Sequence, residues 1–362
     1  MSGGAILITG SDGYVGLRLL RECLASTDAP VLAWVRALSE EELARKREKI
    51  VAQVGSHPRL QVVGGELDSD EPFSSVTPSE VEAIVHSASV TRFNVEAELA
   101  EKVNFQGSRK LFAFARRCPN LKRVLYLSTV YASGLRADAI PEEVLDDVGF
   151  ANHYESSKWR SEMALVSEFS DLPWVIARIA TVIADGDSGV VTQYNVVHNT
   201  LKLLYYGLIS LVPGREEVPL YFVTGDFVTQ TLRSLLSDSA GLRRIYHVVH
   251  RREETLTLGR LLDIVFEVFN EDPAFAARRV LRPLLVDQST FDIMASQMGK
   301  FSGGVVQQAL GSIEPFAKQL FIEKSFQNDR LRNALPSYAA PDPLELARST
   351  ARSLVATKWG RK

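Results

Sequence analysis

Short apolar runs alternating with longer helical patterns constrain this chain more than any other feature. "AILITG" (Ala5–Gly10), "VLAWVR" (Val31–Arg36), "LQVVGG" (Leu60–Gly65), "VEAIVHSAS" (Val81–Ser89), "KRVLYLST" (Lys122–Thr129) and "PWVIARIA" (Pro173–Ala180) predict strands. Between them, helical spacing puts Leu17, Leu20 and Leu24 on one face, starts a charged helix at Ser39, and runs a long helix over Val95–Arg117. Strands apolar at every position need cover on both faces, which predicts a parallel α/β sheet. After Ile183 the pattern loosens into "ADGDSG" (Ala184–Gly189). The apolar tract "LKLLYYGLISLV" (Leu201–Val212) predicts a core or cap helix, and "RRIYHVVH" (Arg243–His250) predicts a strand returning to the sheet. The expected organisation is residues 1–185 as one unit, with 220–250 rejoining it, and 186–362 as a smaller C-terminal lobe.

Composition bounds the function. An apolar content of 46% in 362 residues is ample for a large core. A formal net charge of -3 argues against nucleic acid or anionic lipid as a partner. Cys23 and Cys118 lie far apart with no CxxC, which disfavours a zinc site or disulfide framework and fits a reducing cytoplasm. No basic segment precedes the first apolar run, so no signal peptide is expected. The 201–212 tract is interrupted by Lys202 and falls short of the ~20 residues a membrane span needs. His247 and His250 point to opposite faces of a strand, so no metal pair is expected. Ser156 and Ser157 lack nucleophile-elbow glycines, and Asp185 and Asp187 sit in a predicted turn.

Two motifs carry chemistry. "TGSDGYVG" (Thr9–Gly16) places Gly10, Gly13 and Gly16 at the first strand-to-helix turn, where backbone can approach a pyrophosphate and a helix N-terminus favours its charge. That predicts a dinucleotide site. The second strand ends in Arg36 where an acidic residue would hold a ribose 2′-hydroxyl. A guanidinium there suits a 2′-phosphate and favours NADPH. Glu66 and Leu67 end the third strand, positioned to border the adenine. Small residues in "HSAS" (His86–Ser89) let backbone pass the cofactor, with His86 expected to be packed. Asn104, a poor helix former inside a helix, suggests a buried hydrogen-bonding role.

The second motif is "HYESSK" (His153–Lys158). One helical turn sets Tyr154 and Lys158 on the same face. An ammonium beside a phenol is expected to lower the phenol's pKa from about 10, which suits proton transfer to a substrate oxygen. "LSTVYASG" delivers Ser128 and Thr129 to the carboxyl edge of the sheet, where either hydroxyl can bond that oxygen. Lys158 can also hold ribose hydroxyls.

"LITGSDGYVG", "AWVRA", "GGELDSD", "VEAIVHSAS", "VNFQGSRKLF", "VLYLSTVYASG", "HYESSKWRSE" and "VTGDFV" occur in an order and spacing that resembles the extended short-chain dehydrogenase/reductase superfamily. Within it the chain is similar to the branch of thioester reductase domains, carboxylic acid reductase R-domains and fatty acyl-CoA reductases. "SKW" and "VRA" are the more specific points; the likeness is good over residues 5–185 and weak beyond about 250. The resemblance implies a Rossmann-type doubly wound sheet with a C-terminal substrate-binding lobe. It implies a catalytic set of Thr129, Tyr154 and Lys158. It implies cofactor contacts from Gly10, Gly13, Tyr14, Val15, Gly16, Arg36, Glu66, Leu67, Ala88 and Asn104. Thr9, Asp12, Ser87, Ser128, Ile179 and Val182 complete the expected set, with Tyr154 and Lys158 shared. The chain departs from the branch with Glu66 in place of Asp and with Ile179 in place of Pro after Arg178. The implied activity is NADPH-dependent reduction of an acyl thioester, on a carrier protein or coenzyme A, to aldehyde, with a second reduction to the alcohol left open. The same machinery allows ketone or aldehyde reduction or secondary-alcohol oxidation on a sterol- or sugar-like substrate. A third reading is a non-catalytic NADP(H) sensor. Oligomeric state is not legible.

Overall fold

The structure is a computed structural model that describes residues 4–237, 241–301, 313–335, 337 and 339–360. Its centre is a sheet of 7 strands: β1 (Ala5–Thr9), β2 (Val31–Arg36), β3 (Leu60–Gly65), β4 (Val81–His86), β5 (Arg123–Thr129), β6 (Trp174–Ile179) and β7 (Arg244–Val248). They lie in the order β7-β6-β5-β4-β1-β2-β3, and every neighbouring pair is parallel. The order reverses direction between β1 and β4, so a crevice opens outside the carboxyl ends of the strands at that point. The segment Arg244–Val248 joins the edge beside β6, as its apolar run predicts.

Alternation along each strand divides the core. Ile8, Ala33, Val85, Leu125 and Val175 pack on one face with Leu19 and Leu20 of α1 (Tyr14–Ser26). Leu7, Leu32, Trp34, Ile84, Tyr126 and Ile176 pack on the other with Leu111 and Phe112. These strands are continuous in apolar character because both faces are dry. The charged pattern after Ser39 forms α2 (Glu40–Val54). The Ser39 side chain accepts from the Glu42 N–H, and Glu40, Glu41 and Glu42 sit at the positive end of the helix dipole.

The long helix expected over Val95–Arg117 is interrupted. Ala97–Leu99 leads into a π-helical turn at Ala100–Gln106, and only then does α3 (Gly107–Arg116) run regularly. The helix that carries Tyr154 and Lys158 is α4 (His153–Ser167). Asn152 starts it, its side chain accepting from the Glu155 N–H at 3.0 Å.

The tract Leu201–Val212 is not one helix. α5 (Val196–Tyr205) ends, Gly207 takes φ +68°, and Leu211–Pro213 forms a short strand paired with Leu284–Val286. Glycine makes that left-handed stop inexpensive, and the strand then supplies the backbone partners a helix would have needed. α6 (Gly225–Leu236) returns to the sheet. A second core gathers around α7 (Leu258–Asn270), joining Leu261, Val265 and Phe269 to Leu201, Leu204 and Leu354. Lys324–Phe326 pairs in parallel with Asp138–Ile140, tying the late chain to the segment that precedes α4.

Candidate active site

The first strand-to-helix turn is built around close backbone approach. Gly10 has φ +69°, and a Cβ there would stand 2.9 Å from the Ala88 nitrogen. α1 then begins after Gly13 with no side-chain cap and no acidic residue in its first turn. Its leading N–H groups are therefore left to face an anion. A cavity of about 400 Å³ lies against this turn, lined by Gly10, Asp12, Gly13, Tyr14, Val15, Arg36, Glu66, Leu67, Ser87, Ala88 and Val182. The Asp12 carboxylate that faces it is neutralised by Lys46 at 2.9 Å. These features fit a dinucleotide.

Two residues of the glycine motif stand behind the cavity and not in it. Thr9 is fully buried. Its hydroxyl accepts from the N–H groups of Ser87 (3.2 Å) and Ala88 (3.1 Å) and bonds His86 Nδ1 (2.8 Å), so it fastens the two turns together. His86 in turn bonds Ser108 through Nε2 at 3.1 Å. Burial lowers its pKa to about 3, which keeps it neutral. Gly16 packs on the Gly10 carbonyl, where any Cβ would overlap.

Arg36 and Glu66 meet at the far end. The guanidinium bonds the carboxylate at 2.8 and 2.9 Å, with Arg36 mostly exposed. The pair spans the ends of β2 and β3, where an adenosine ribose would lie, and leaves the outer edge of the guanidinium open to solvent.

The second cavity is an open groove of about 500 Å³, lined by Ser128, Thr129, Tyr131, Tyr154, Lys158, Ile179 and Val182 among others. Val15, Ser87, Ser89, Thr91, Val182 and Asn195 line both spaces, so the groove continues the dinucleotide cavity. The structure therefore brings Thr129, Tyr154 and Lys158 together, and Ile179 and Val182 with them. Lys158 Nζ donates to the Leu127 carbonyl at 2.6 Å and stands 4.3 Å from the Tyr126 ring centre. Burial lowers its pKa to about 7, opposed by the Glu162 carboxylate. The expected effect on the phenol is reversed. Burial raises the pKa of Tyr154, and the hydrogen bond with Thr129 is what opposes the rise.

Asn104 takes the buried hydrogen-bonding role expected of it but no place in either cavity, and Ser128 has its hydroxyl turned to a partner. Asn104 lies in the π-helical turn. Its amide accepts from Val90 N (2.8 Å) and Ser89 Oγ (3.1 Å) and donates to Val90 O (3.0 Å) and Ser157 Oγ (3.0 Å). It anchors the 89–90 loop to α4 and lines neither cavity. Ser128 reaches the groove wall, but its hydroxyl donates to Glu162 at 2.5 Å. Glu162 forms a buried bidentate pair with Arg178, with contacts of 2.6 and 3.1 Å, and Arg178 Nη1 meets His247 Nε2 at 3.2 Å. Asp185 accepts from Tyr14 Oη at 2.6 Å and holds Arg18, so the predicted turn anchors α1.

Several neighbours were not foreseen. Phe93 packs edge-on against Tyr154 with ring centres 5.8 Å apart, and Tyr131 and Phe316 pack on Phe93 and on each other. Beneath the same helix, Glu155 and Lys324 are both buried; burial raises the pKa of Glu155 and lowers that of Lys324. Glu162 carried a usable signal, four residues after Lys158 on the same helix face. Phe316 and Lys324 lie in segments with no local pattern. Among the described residues, no cluster of His, Cys, Asp and Glu forms a metal-ligand set, and no helix is long and apolar enough to cross a membrane.

Comparison with known proteins places these features. Isonitrile lipopeptide synthase of Streptomyces coeruleorubidus is 28% identical over 218 residues, 54% of this chain and 14% of that protein. Fatty acyl-CoA reductase 2, chloroplastic, of Arabidopsis thaliana is 27% identical over 166 residues, 40% of this chain and 27% of that one. The chain thus spans a minor part of these curated relatives. Among solved structures, the terminal R domain from the myxalamid PKS-NRPS biosynthetic pathway matches with a TM-score of 0.78 at 22% identity, covering 99% of this chain and 92% of that one. That likeness bears on the fold. The model of the NAD-binding family described as male sterility protein matches residues 8–232, more than half of the chain, and the chain belongs to that family.

Proposed function

We propose that this chain is a nicotinamide-dependent reductase that takes NADPH and reduces an acyl thioester, presented by a carrier protein or coenzyme A, to an aldehyde. The observation that carries the reading is the continuity of the two cavities. The glycine-lined space opens into the groove where Tyr154, Thr129 and Lys158 converge. The names of the fatty acyl-CoA reductase and R-domain relatives support a thioester over other carbonyl compounds. In this reading residues 1–185, with the return strand, hold the cofactor, and 186–362 shape the substrate side.

When bound, the reduced nicotinamide supplies the hydride that the carbonyl carbon accepts. Tyr154 donates its proton to the carbonyl oxygen, and Thr129, which lines the groove with it, offers a second hydroxyl to the same oxygen. The phenol is protonated at neutral pH and has a proton to give, while the burial that raises its pKa makes it a weaker acid. The buried Lys158 faces the groove and receives ribose hydroxyls. The C–S bond then breaks with its electron pair leaving on sulfur. Thioester, NADPH and a proton give aldehyde, thiol and NADP⁺; a second equivalent of each reductant would give the alcohol. Arg36 supports NADPH over NADH through the edge of its guanidinium that Glu66 leaves open.

The test follows NADPH absorbance, free thiol and carbonyl product together, with acyl-CoA and acyl-carrier substrates. Oxidation of NADPH matched by thiol release, and abolished by Tyr154→Phe, is the expected result. Turnover of ketones or aldehydes with no thiol release from any thioester would refute it. Activity unchanged in Tyr154→Phe would remove the phenol from the chemistry, and NADPH binding with no turnover of any substrate would return the chain to the sensor reading.

A further inference from the structure

The wall of the dinucleotide cavity is acidic for a space that would receive a nucleotide anion. Among the described residues that line it stand one cation, Arg36, and three carboxylates, Asp12, Glu66 and Asp185. Asp12 is paired with Lys46 and Asp185 with Arg18, and neither of those cations lines the cavity. Lys46 is held further by Glu42 at 3.7 Å. Arg36 is thus the cation that faces the adenosine end, and Glu66 already shares it.

The sheet fixes that sharing. β2 and β3 run parallel with Arg36 beside Gly65, and the Ala37 N–H donates to the Gly65 carbonyl at 3.0 Å. Glu66 is therefore the first residue past β3, level with the Arg36 side chain. Its Oε1 accepts from Arg36 Nε at 2.9 Å and meets Nη2 at 2.8 Å, so one oxygen takes the whole side edge of the guanidinium. A guanidinium has two edges that can make paired contacts with an oxyanion, and here the Nη1–Nη2 end is the one left. A phosphate held at that end stands within one guanidinium width of the Glu66 carboxylate, a like charge.

The same two residues serve the other cofactor. An acidic side chain at this edge of the sheet can accept from a ribose 2′-hydroxyl, whereas an arginine accommodates a 2′-phosphate. This chain carries both, bonded to each other. Resting on the nicotinamide reading above, we infer that Glu66 sets the cofactor preference and holds it narrow: the chain uses NADPH and NADH, favouring NADPH by no more than about tenfold. Glu66 accepts from the hydroxyl of NADH and repels the phosphate of NADPH, which Arg36 alone attracts.

Fluorescence titration of the full chain with each cofactor tests this without any substrate, at about 0.02 M and about 0.5 M salt. Glu66→Gln keeps an acceptor for Arg36 and removes the charge. Arg36 and Glu66 are 64% and 26% exposed, so solvent screens the repulsion and the expected change is severalfold. The preference for NADPH should rise by at least about threefold at low salt, through tighter NADPH and no gain for NADH, and the rise should shrink at high salt. Glu66→Ala, which removes charge and amide together, should move the preference the same way. A merely structural loss at this strand end would weaken both cofactors alike and respond little to salt. A parent preference above about tenfold overturns the narrow preference. A ratio that falls or changes by less than about threefold in both variants overturns the role of Glu66. NADPH affinity unmoved by Arg36→Ala overturns the 2′-phosphate reading itself, whatever the Glu66 variants do.

Discussion

Glu162→Gln would strand a charge. Arg178 is fully buried, and the Glu162 carboxylate that neutralises it is 3% exposed. The substitution keeps the shape of the side chain and removes its charge, leaving a guanidinium in the core with His247 as a neutral neighbour. Breaking a buried pair from one side costs about 3–5 kcal/mol. Unfolding entropy is about 2.1 cal/mol/K per residue, or about 0.76 kcal/mol/K for 362 residues. The melting temperature should therefore fall by about 4–7 °C, measured by calorimetry on the cofactor-free protein. Glu162→Leu combined with Arg178→Met removes both charges and should recover most of the loss, because no charge then remains to be solvated. The single variant should also lower the pKa of Lys158 further, since Glu162 is the group that supports its ammonium. A single variant that melts within about 1 °C of the parent, or a double variant as unstable as the sum of the singles, would refute the reasoning.

Tyr154→Phe should reduce kcat by about 100-fold or more while NADPH affinity, measured by fluorescence titration, stays within about twofold. Arg36→Ala should weaken NADPH binding by about 10–100-fold and leave NADH nearly untouched; equal losses for both cofactors would remove the 2′-phosphate assignment. Lys158 has a pKa of about 7 in the folded chain against 10.5 as its ordinary value. Between those values the unfolded chain binds the extra proton, so cofactor-free stability should rise with pH across that window. Lys158→Met should flatten the rise, seen in denaturant titrations at pH 7 and pH 10.

The sheet was legible because its inner strands are buried on both faces and so carry a nearly continuous apolar signature, which thins at the edges, at Gln61 and Arg244. The convergence of Thr129, Tyr154 and Lys158 was legible because a strand end and one helical turn set their positions. Thr9, Gly16 and Asn104 were expected at the cofactor and line neither cavity, and Ser128 lines the groove with its hydroxyl turned to Glu162. Spacing locates a residue on a turn or strand end but does not say which way its side chain is drawn by its partners. Thr9 is held by two N–H groups across the crevice, and Ser128 by a carboxylate. The phenol's pKa direction was missed for a related reason: the sequence showed the nearby cation but not the burial that outweighs it. Gln319 and Lys324 were beyond reach, because their contacts with Glu155 and Gly134 bridge well over a hundred residues and follow no local period.

The π-helical turn at Ala100–Gln106 has a consequence for how this segment tolerates insertion and deletion. Such a turn holds one residue more than the α-helix around it. Removing one residue from it would let the helix become regular with its two flanks nearly in register, so the change would fall on the side chains of the turn itself. Asn104 would then swing away from Val90, and the 89–90 loop at the groove would lose its anchor. Length in this stretch is thus as fixed as identity. A sequence alignment that closes a single-residue gap here would equate side chains that face in different directions.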